Sequence, residues 1–405
     1  MNASPRTATD WSLAWLLVIT GFAVASQIGK VPPALPAIRA ELGIDLRAAG
    51  WFLSLVNLMS ALIGVLVALT AERIGHRRLT IMGLLAGGAA SAVGALTASA
   101  TLLFAARVVE GLSLLAVAVS VPAMMLRVSV PGDTHRVMAL WGIYLPGGAG
   151  LMALACAFLL PTVGWRGAWW TTATVLILMT LAVLRSSVGR GGNAPPRVAG
   201  GSLGRDVVDA ATSPGALAIG ACFGFYASSW LALVGFLPTL QVEQLGLDPA
   251  VAAATTAGVI TVNVLGSVAA GWLLGRGWRR ITILVMTSLI MMLTAAGVFL
   301  EWLPPLLRLL TAFIFSAISS AIPGALFAAV PLHAPRPSLV GATMGVLMQG
   351  SNAGLLIGPP IVAALVSAGG WSWALFYVIP ALACSALAAW LLHRAERRLP
   401  GRSAS

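Results

Sequence analysis

Residues 68–78 read ALTAERIGHRR, and residues 271–280 read GWLLGRGWRR. Both are short basic turns that follow a long apolar run. Placing Arg73 on Arg276 and Arg77 on Arg280 takes a shift of 203 residues, about half of the 405-residue chain. The correspondence extends outward from there. Arg107 and Pro122 fall on Arg308 and Pro323 at a shift of 201, and Gly164-Trp165 falls on Gly370-Trp371. Matches in one order along both halves indicate an internal duplication, and parallel repeats of this kind occur in polytopic membrane proteins.

The composition suits lipid. Hydrophobic residues make up 59% of the chain and charged residues 9%, where a soluble domain carries about a quarter charged. The apolar residues fall into blocks without a polar face, as in membrane or deeply buried helices. One crossing takes about 20 such residues. Twelve blocks are read at residues 11–29, 48–70, 79–98, 102–129, 137–160, 167–184, 215–237, 249–274, 281–300, 306–330, 340–366 and 372–392. The fold expected is an all-α membrane protein, with twelve transmembrane helices in two pseudo-symmetric six-helix bundles. Residues 1–184 make the N-terminal bundle, and residues 215–405 make the C-terminal bundle with a short basic tail. Between them, residues 185–214 carry Gly191-Gly192, Pro195-Pro196, Gly200-Gly201 and four arginines, the composition of a cytoplasmic linker. Ala23-Val24-Ala25 mimics a signal-peptide cleavage site. Removing the first block would break the symmetry, so it is read as an uncleaved first helix.

A net charge of +12 fits nucleic acid only when the basic residues share one face. Here they sit in short clusters between apolar blocks. With the N-terminus inside, eighteen of the 24 Lys and Arg residues fall in inside loops and tails, and four, Lys30, Arg39, Arg47 and Arg166, fall outside. That is the positive-inside signature. It puts both termini and the linker on the cytoplasmic side of a bacterial-type inner membrane. Cys156, Cys222 and Cys384 lie in three separate blocks, without metal or disulfide spacing, and read as packing residues. No G-x-x-x-x-G-K-S/T loop is present, and no nucleophile–base or metal constellation lies in the blocks. Neither enzyme activity nor a cofactor is expected.

These features resemble the major facilitator superfamily over essentially the whole chain. The superfamily's loop between helices two and three reads approximately G-x-L-x-D-R-x-G-R-R. Here Ala68 replaces its first glycine and Glu72 its acid, while Arg73, Gly75, Arg77 and Arg78 match. The second copy keeps Gly271, Leu273, Arg276, Arg279 and Arg280, with Gly275 at the acid position. The resemblance implies a cytoplasmic gate locked by that acid. The role carries to Glu72, with Arg73, Arg77, Arg276 and Arg280 in the gate, and not to Gly275. Arg107 with Gly111 is similar to the helix-four R-x-x-x-G motif, and Pro146-Gly147-Gly148-Ala149-Gly150 partly resembles the glycine-rich motif of the antiporter branch. LPAIRAELGI at 35–44, MALWGIYLPGGAG at 138–150, FGFYASSWLALVGFLP at 223–238 and MQGSNAGLLIGPP at 348–360 resemble the cyanate-porter and nitroimidazole-transporter family within it. The superfamily resemblance implies secondary transport by alternating access.

An ionisable group within a span is expensive, and so is a functional candidate. Three are read within spans, Arg107, Glu110 and Arg308, and Glu110 is the one acid among them. Arg107 and Glu110 are three apart on a helix, so their side chains can meet. A substrate anion competing for Arg107 would free the carboxylate to take a proton. The same pair also reads as a structural brace. Arg107→Ala is expected to do more harm than Glu110→Gln, because it strands a buried carboxylate. Arg308 reads either as snorkelling to the outer interface or as an anion or gate contact. Tyr144, Tyr226, Trp230, Asn57, Asn263, Gln349 and Asn352 are polar or aromatic residues in the spans. Such residues orient a small solute or glue helices together.

The function expected is secondary active transport of a small organic solute, an anion or weak acid, coupled to protons. A proton-driven exporter of amphipathic compounds and a transporter-like solute sensor are the alternatives. The partners expected are a small-molecule substrate, protons and the lipid bilayer, with no nucleic acid, and a monomeric chain.

Overall fold

A computed structural model describes residues 8–188, 209, 211–336 and 339–397. Among these residues the regular elements are helices, with no strand. Eleven helices are long and apolar enough to cross a membrane. One of them, Arg136–Arg185, is 50 residues long, enough for two crossings. It is two helices meeting at Gly164, where φ is 67° and ψ is −174°. The twelve-span fold is therefore present.

Span one is Trp11–Gly29 continued by Val31–Leu42, and span two is Leu46–Ser54 and Leu58–Ile74 joined by the 3-10 turn Leu55–Asn57. Spans three and four are His76–Leu96 and Ala100–Val128. Span five is Thr134–Gly142 with the first part of Tyr144–Arg185, and span six is the remainder after Gly164. Span seven is Pro214–Leu245, and span eight is Pro249–Val262 and Val264–Gly275. Span nine is Arg280–Phe299, and span ten is Pro305–Ser319 and Ala321–His333. Val340–Gly369 and Leu375–Arg397 are spans eleven and twelve.

Short polar side chains start several of these helices. Asp10 accepts from the Leu13 amide, Asp45 from Ala48 and Ser99 from Leu102. Each satisfies one amide that the helix itself leaves unpaired. The turns repeat between the halves as the sequence does. Gly43, Gly75 and Gly164 have φ of 62°, 93° and 67°, and their partners Gly246, Gly277 and Gly370 have 62°, 82° and 86°. Only glycine enters that region without strain.

The first span departs from expectation. Its apolar block ends at Gly29, yet the chain remains helical to Leu42. Pro32 and Pro33 fall in the first turn of the continuation, where a missing amide hydrogen costs nothing. Lys30 and Arg39, expected in an outer loop, are thereby drawn into the helical span.

The chain clusters into two compact units. Unit 1 takes the described residues of Met1–Ile44, Leu58–Ala199 and Leu247–Ala257. Unit 2 takes those of Asp45–Asn57, Gly200–Gly246 and Gly258–Ser405. Most of the expected 185–214 linker lies outside the described residues. Within unit 2, spans seven and eleven meet backbone to backbone. A Cβ on Gly350, Gly354 or Gly358 would lie under 3.0 Å from the carbonyl oxygen of Gly220, Gly224 or Ser228. Among the cysteines, Cys156 and Cys222 are buried and Cys384 is exposed.

Candidate functional site

Unit 1 encloses a charged cluster on spans one, three, four and six. Arg107 Nη1 donates to Glu110 Oε2 and, at 2.8 Å, to the carbonyl oxygen of Gln27. The other carboxylate oxygen, Oε1, accepts from Lys30 Nζ at 2.6 Å and from Ser91 Oγ at 2.7 Å. Lys30 Nζ is also 2.9 Å from Ser91 Oγ and 4.3 Å from the centroid of the Trp169 ring. Gln27 Nε2 donates to Ser113 Oγ at 3.2 Å. The side chains of Lys30 and Glu110 are 0% exposed, and that of Arg107 is 1% exposed.

The helical spacing brings Arg107 and Glu110 together. Lys30 is the member that the sequence reading places elsewhere, as an outside-loop charge. Its inward position has a local cause. The helix continues past it, so its stem and ammonium stay within the bundle, and the ammonium meets the Glu110 carboxylate. With Lys30 buried and Arg39 within the helix Val31–Leu42, fewer basic residues remain for the outer loops expected from the sequence. Two cations now face one anion, a surplus of +1. Removing one partner of a buried ion pair destabilises by about 3–5 kcal/mol, so the cluster is held tightly.

Arg308 does not snorkel. It is 4% exposed, and it donates from Nε to the Val298 carbonyl oxygen at 2.9 Å and from Nη2 to Gln244 Oε1 at 2.6 Å. Gln244 in turn donates to Glu301 Oε1 at 2.9 Å. Arg308 thus braces spans seven and nine within unit 2.

The remaining candidates divide into separate groups. Tyr144 stacks on Trp141 with ring centroids 4.0 Å apart. Tyr226 is buried and lies close to Asn263 and Ser319. Asn263 sits at the break in span eight, where its Nδ2 donates to the Ser316 carbonyl oxygen at 3.1 Å and to Ser319 Oγ at 2.8 Å. Asn57 occupies the corresponding break in span two and donates to the Ser54 carbonyl oxygen at 3.4 Å. Trp230, one turn beyond Tyr226, has a buried Nε1 with no hydrogen-bond partner. Gln349 is exposed, and Asn352 bonds back to Met348 in its own helix.

At the expected gate, the Glu72 side chain lies outside the described residues. Arg73 is exposed. Arg77 Nη2 donates to the carbonyl oxygens of Val183 and Leu184 at 3.0 and 2.9 Å, and so caps span six. Arg276 stacks over the Trp272 ring at 3.5 Å, and Arg280 begins span nine. A cavity of about 520 Å³ in unit 1 is lined by Pro33, Glu41, Pro161, Trp165, Asp248 and Pro249, among others, and by none of the charged cluster.

Comparison with known proteins agrees with this architecture. The chain is 28% identical over 149 residues to the puromycin resistance protein of Streptomyces alboniger. That match covers 36% of this chain and 30% of the other, so it spans less than a third of that relative's length. Three solved structures share the fold at low identity. A bacterial homologue of the human lysosomal transporter Spinster, inward-facing and occupied, gives a TM-score of 0.80 at 14% identity over 98% of both chains. A nucleoside transporter gives 0.77 at 12% identity, over 94% of this chain and 99% of the other. A D-xylose-proton symporter gives 0.72 at 14% identity, over 94% and 97%. The Major Facilitator Superfamily pattern matches residues 16–348, most of the length, and the chain belongs to that superfamily as a multi-pass membrane transporter and not an enzyme.

Proposed function

We propose that this transporter moves a small organic anion or weak acid together with a proton, by alternating access across a bacterial inner membrane. Glu110, held by two buried cations, is the observation that carries the reading. A substrate anion gains either cation by displacing the Glu110 carboxylate. A carboxylate left buried without partners is costly, and a proton on Glu110 removes that cost. Anion and proton therefore favour each other's entry, and the coupling is reciprocal. When they enter together, the surplus charge of the cluster stays at +1.

Several further parts of the reading rest on sequence. Both termini are cytoplasmic, the bundles are residues 1–184 and 215–405, the working unit is a monomer, and the chain sits with the cyanate-porter and nitroimidazole-transporter family. Tyr226, Trp230 and Asn263 are the neutral groups proposed to orient the solute.

Reconstituted protein in liposomes with an alkaline interior tests the proposal. A panel of radiolabelled small organic acids is offered, with a valinomycin clamp to remove any voltage. At least one acid should accumulate, and a protonophore should abolish that accumulation. Exchange of a labelled acid without any pH-driven accumulation would remove the proton from the proposal. A second reading, proton-driven export of amphipathic compounds, draws on the puromycin resistance relative and on the aromatic face of Phe223, Tyr226 and Phe327. Export of puromycin by the same liposomes, with no acid moved, would favour it.

A further inference from the structure

The ladder of helical hydrogen bonds in span one lapses at Lys30, whose own backbone stays helical at φ −71° and ψ −26°. Trp11–Gly29 ends one residue before it, and Val31–Leu42 begins one residue after. Pro32 and Pro33 have no amide hydrogen, so neither can donate to the carbonyl one turn back, at Ile28 and Gly29. Helices bend where proline removes such rungs. The interruption also lies directly on span five. Cys156 Sγ is 3.9 Å from the Lys30 carbonyl oxygen, and a Cβ on Gly29 would run into the carbonyl of Ala149.

The side chain of this residue ends on Glu110, the one buried carboxylate among the described residues. The charged groups facing Glu110 are Lys30 from span one and Arg107 from span four. Span three brings Ser91, span five brings Cys156 beside the Lys30 backbone, and span six brings Trp169. The two cations divide the carboxylate between them. Lys30 holds Oε1 at 2.6 Å, and Arg107 holds Oε2. An anion that draws Arg107 away thus leaves Glu110 still paired with Lys30. The carboxylate opens to a proton only when the ammonium has also left Oε1.

We infer that Lys30 is a positioning residue that ties protonation of Glu110 to bending of span one. In the geometry described here, Nζ occupies Oε1 and the proton stays out. A bend between Lys30 and Pro33 withdraws Nζ, and a movement of about 1 Å takes the contact past hydrogen-bonding range. The proton then adds from water to a carboxylate oxygen of Glu110. Lys30 keeps all three of its own protons, and no other bond is made or broken. The inference rests on the proposal that Glu110 carries the transported proton.

Infrared spectroscopy of the reconstituted protein tests it without a known solute, through the C=O stretch of a protonated carboxyl group. With Arg107 still on Oε2, Lys30→Met should gain such a band at a higher pH than the unaltered protein does. The band should be absent from Lys30→Met/Glu110→Gln, and Lys30→Arg, which keeps the cation, should follow the unaltered protein. Identical carboxyl bands in Lys30→Met and the unaltered protein from pH 5 to pH 8 would overturn the inference. Should Lys30→Met fail to fold, spin labels at Trp15 and Ala40, on either side of the interruption, decide the matter in an otherwise unaltered protein. A second distance population should grow as pH falls, and one unchanging distance at every pH overturns the inference. Failure of pH-driven uptake in the unaltered protein counts instead against the transported proton, because these readouts follow the Lys30–Glu110 contact alone.

Discussion

The two halves of the chain share a scaffold and differ in where they bury charge. Gly29 and Pro32 fall on Gly235 and Pro238 at a shift of 206, which puts Phe236 in the place of Lys30. Glu110, three residues after Arg107, has Thr311 as its counterpart, three residues after Arg308. Phe236 is 1% exposed and packs edge-on against Trp371. Thr311 hydroxyl donates to the carbonyl oxygen of Arg308 at 2.9 Å. Arg308 itself hydrogen-bonds to neutral groups. An aromatic pair and a neutral brace thus fill the places that an ammonium and a carboxylate fill in the first half. Buried ion pairs are often no more stable than apolar residues of similar volume. The scaffold does without these charges in one copy, so their presence in the other speaks for a task beyond holding helices together.

Glu110→Gln should break that contrast most strongly. It leaves Lys30 and Arg107 buried without a counter-charge, at about 3–5 kcal/mol. Arg107→Ala leaves Lys30 and Glu110 as a one-to-one pair and should do less harm. This reverses the order expected from the sequence, where Arg107 is the sole partner of the acid. Thermal unfolding in detergent ranks the two variants, and a higher melting temperature for Glu110→Gln than for Arg107→Ala would contradict the two-cation arrangement.

Arg308→Met makes the matching change in the second half and should matter less. It removes two hydrogen bonds and leaves the Val298 carbonyl and Gln244 to find other partners, a loss of about 1–3 kcal/mol. At equal protein levels, pH-driven accumulation should survive it. Loss of that accumulation would mean that the second half also takes part in coupling.

The smallest effect on stability is expected at the turns that first reveal the repeat. Glu72→Ala should slow transport, since the first copy alone carries an acid there. Gly275→Ala should leave transport unchanged, because a Cβ at Gly275 meets nothing within 4 Å. Gly275→Ala should keep stability within about 0.5 kcal/mol, as surface changes usually do. Equal transport rates for the two variants would remove the asymmetry of the gate.

Much of this architecture is legible in the sequence, because lipid forces apolar residues into blocks of spanning length. The Arg107–Glu110 contact is legible as well, since a spacing of three on a helix brings side chains together without help from the fold. Lys30 is not. A charge followed closely by two prolines looks like the end of a span, and only the continuation of the helix to Leu42 shows that the prolines fill a first helical turn. The breaks at Asn57 and Asn263 are hidden for another reason. Both lie in runs as apolar as their surroundings, and nothing local marks the 3-10 turn at Asn57 or the one-residue break at Asn263. These two asparagines attract notice as polar residues within spans, yet what the structure gives them is a place at the breaks. Tyr226, Asn263 and Ser319 come from three different spans, and no spacing along the chain announces that they meet.

The backbone contact between spans seven and eleven has a genetic consequence. Any single-base change in a glycine codon that puts another amino acid there adds at least a Cβ. At Gly350, Gly354 and Gly358 that atom would strike a carbonyl of the neighbouring helix, and the two helices would have to part. At Gly341 and Gly345, in the same helix, it would meet nothing within 4 Å. One helix therefore holds two kinds of glycine codon, a set frozen by its neighbour and a set free to drift.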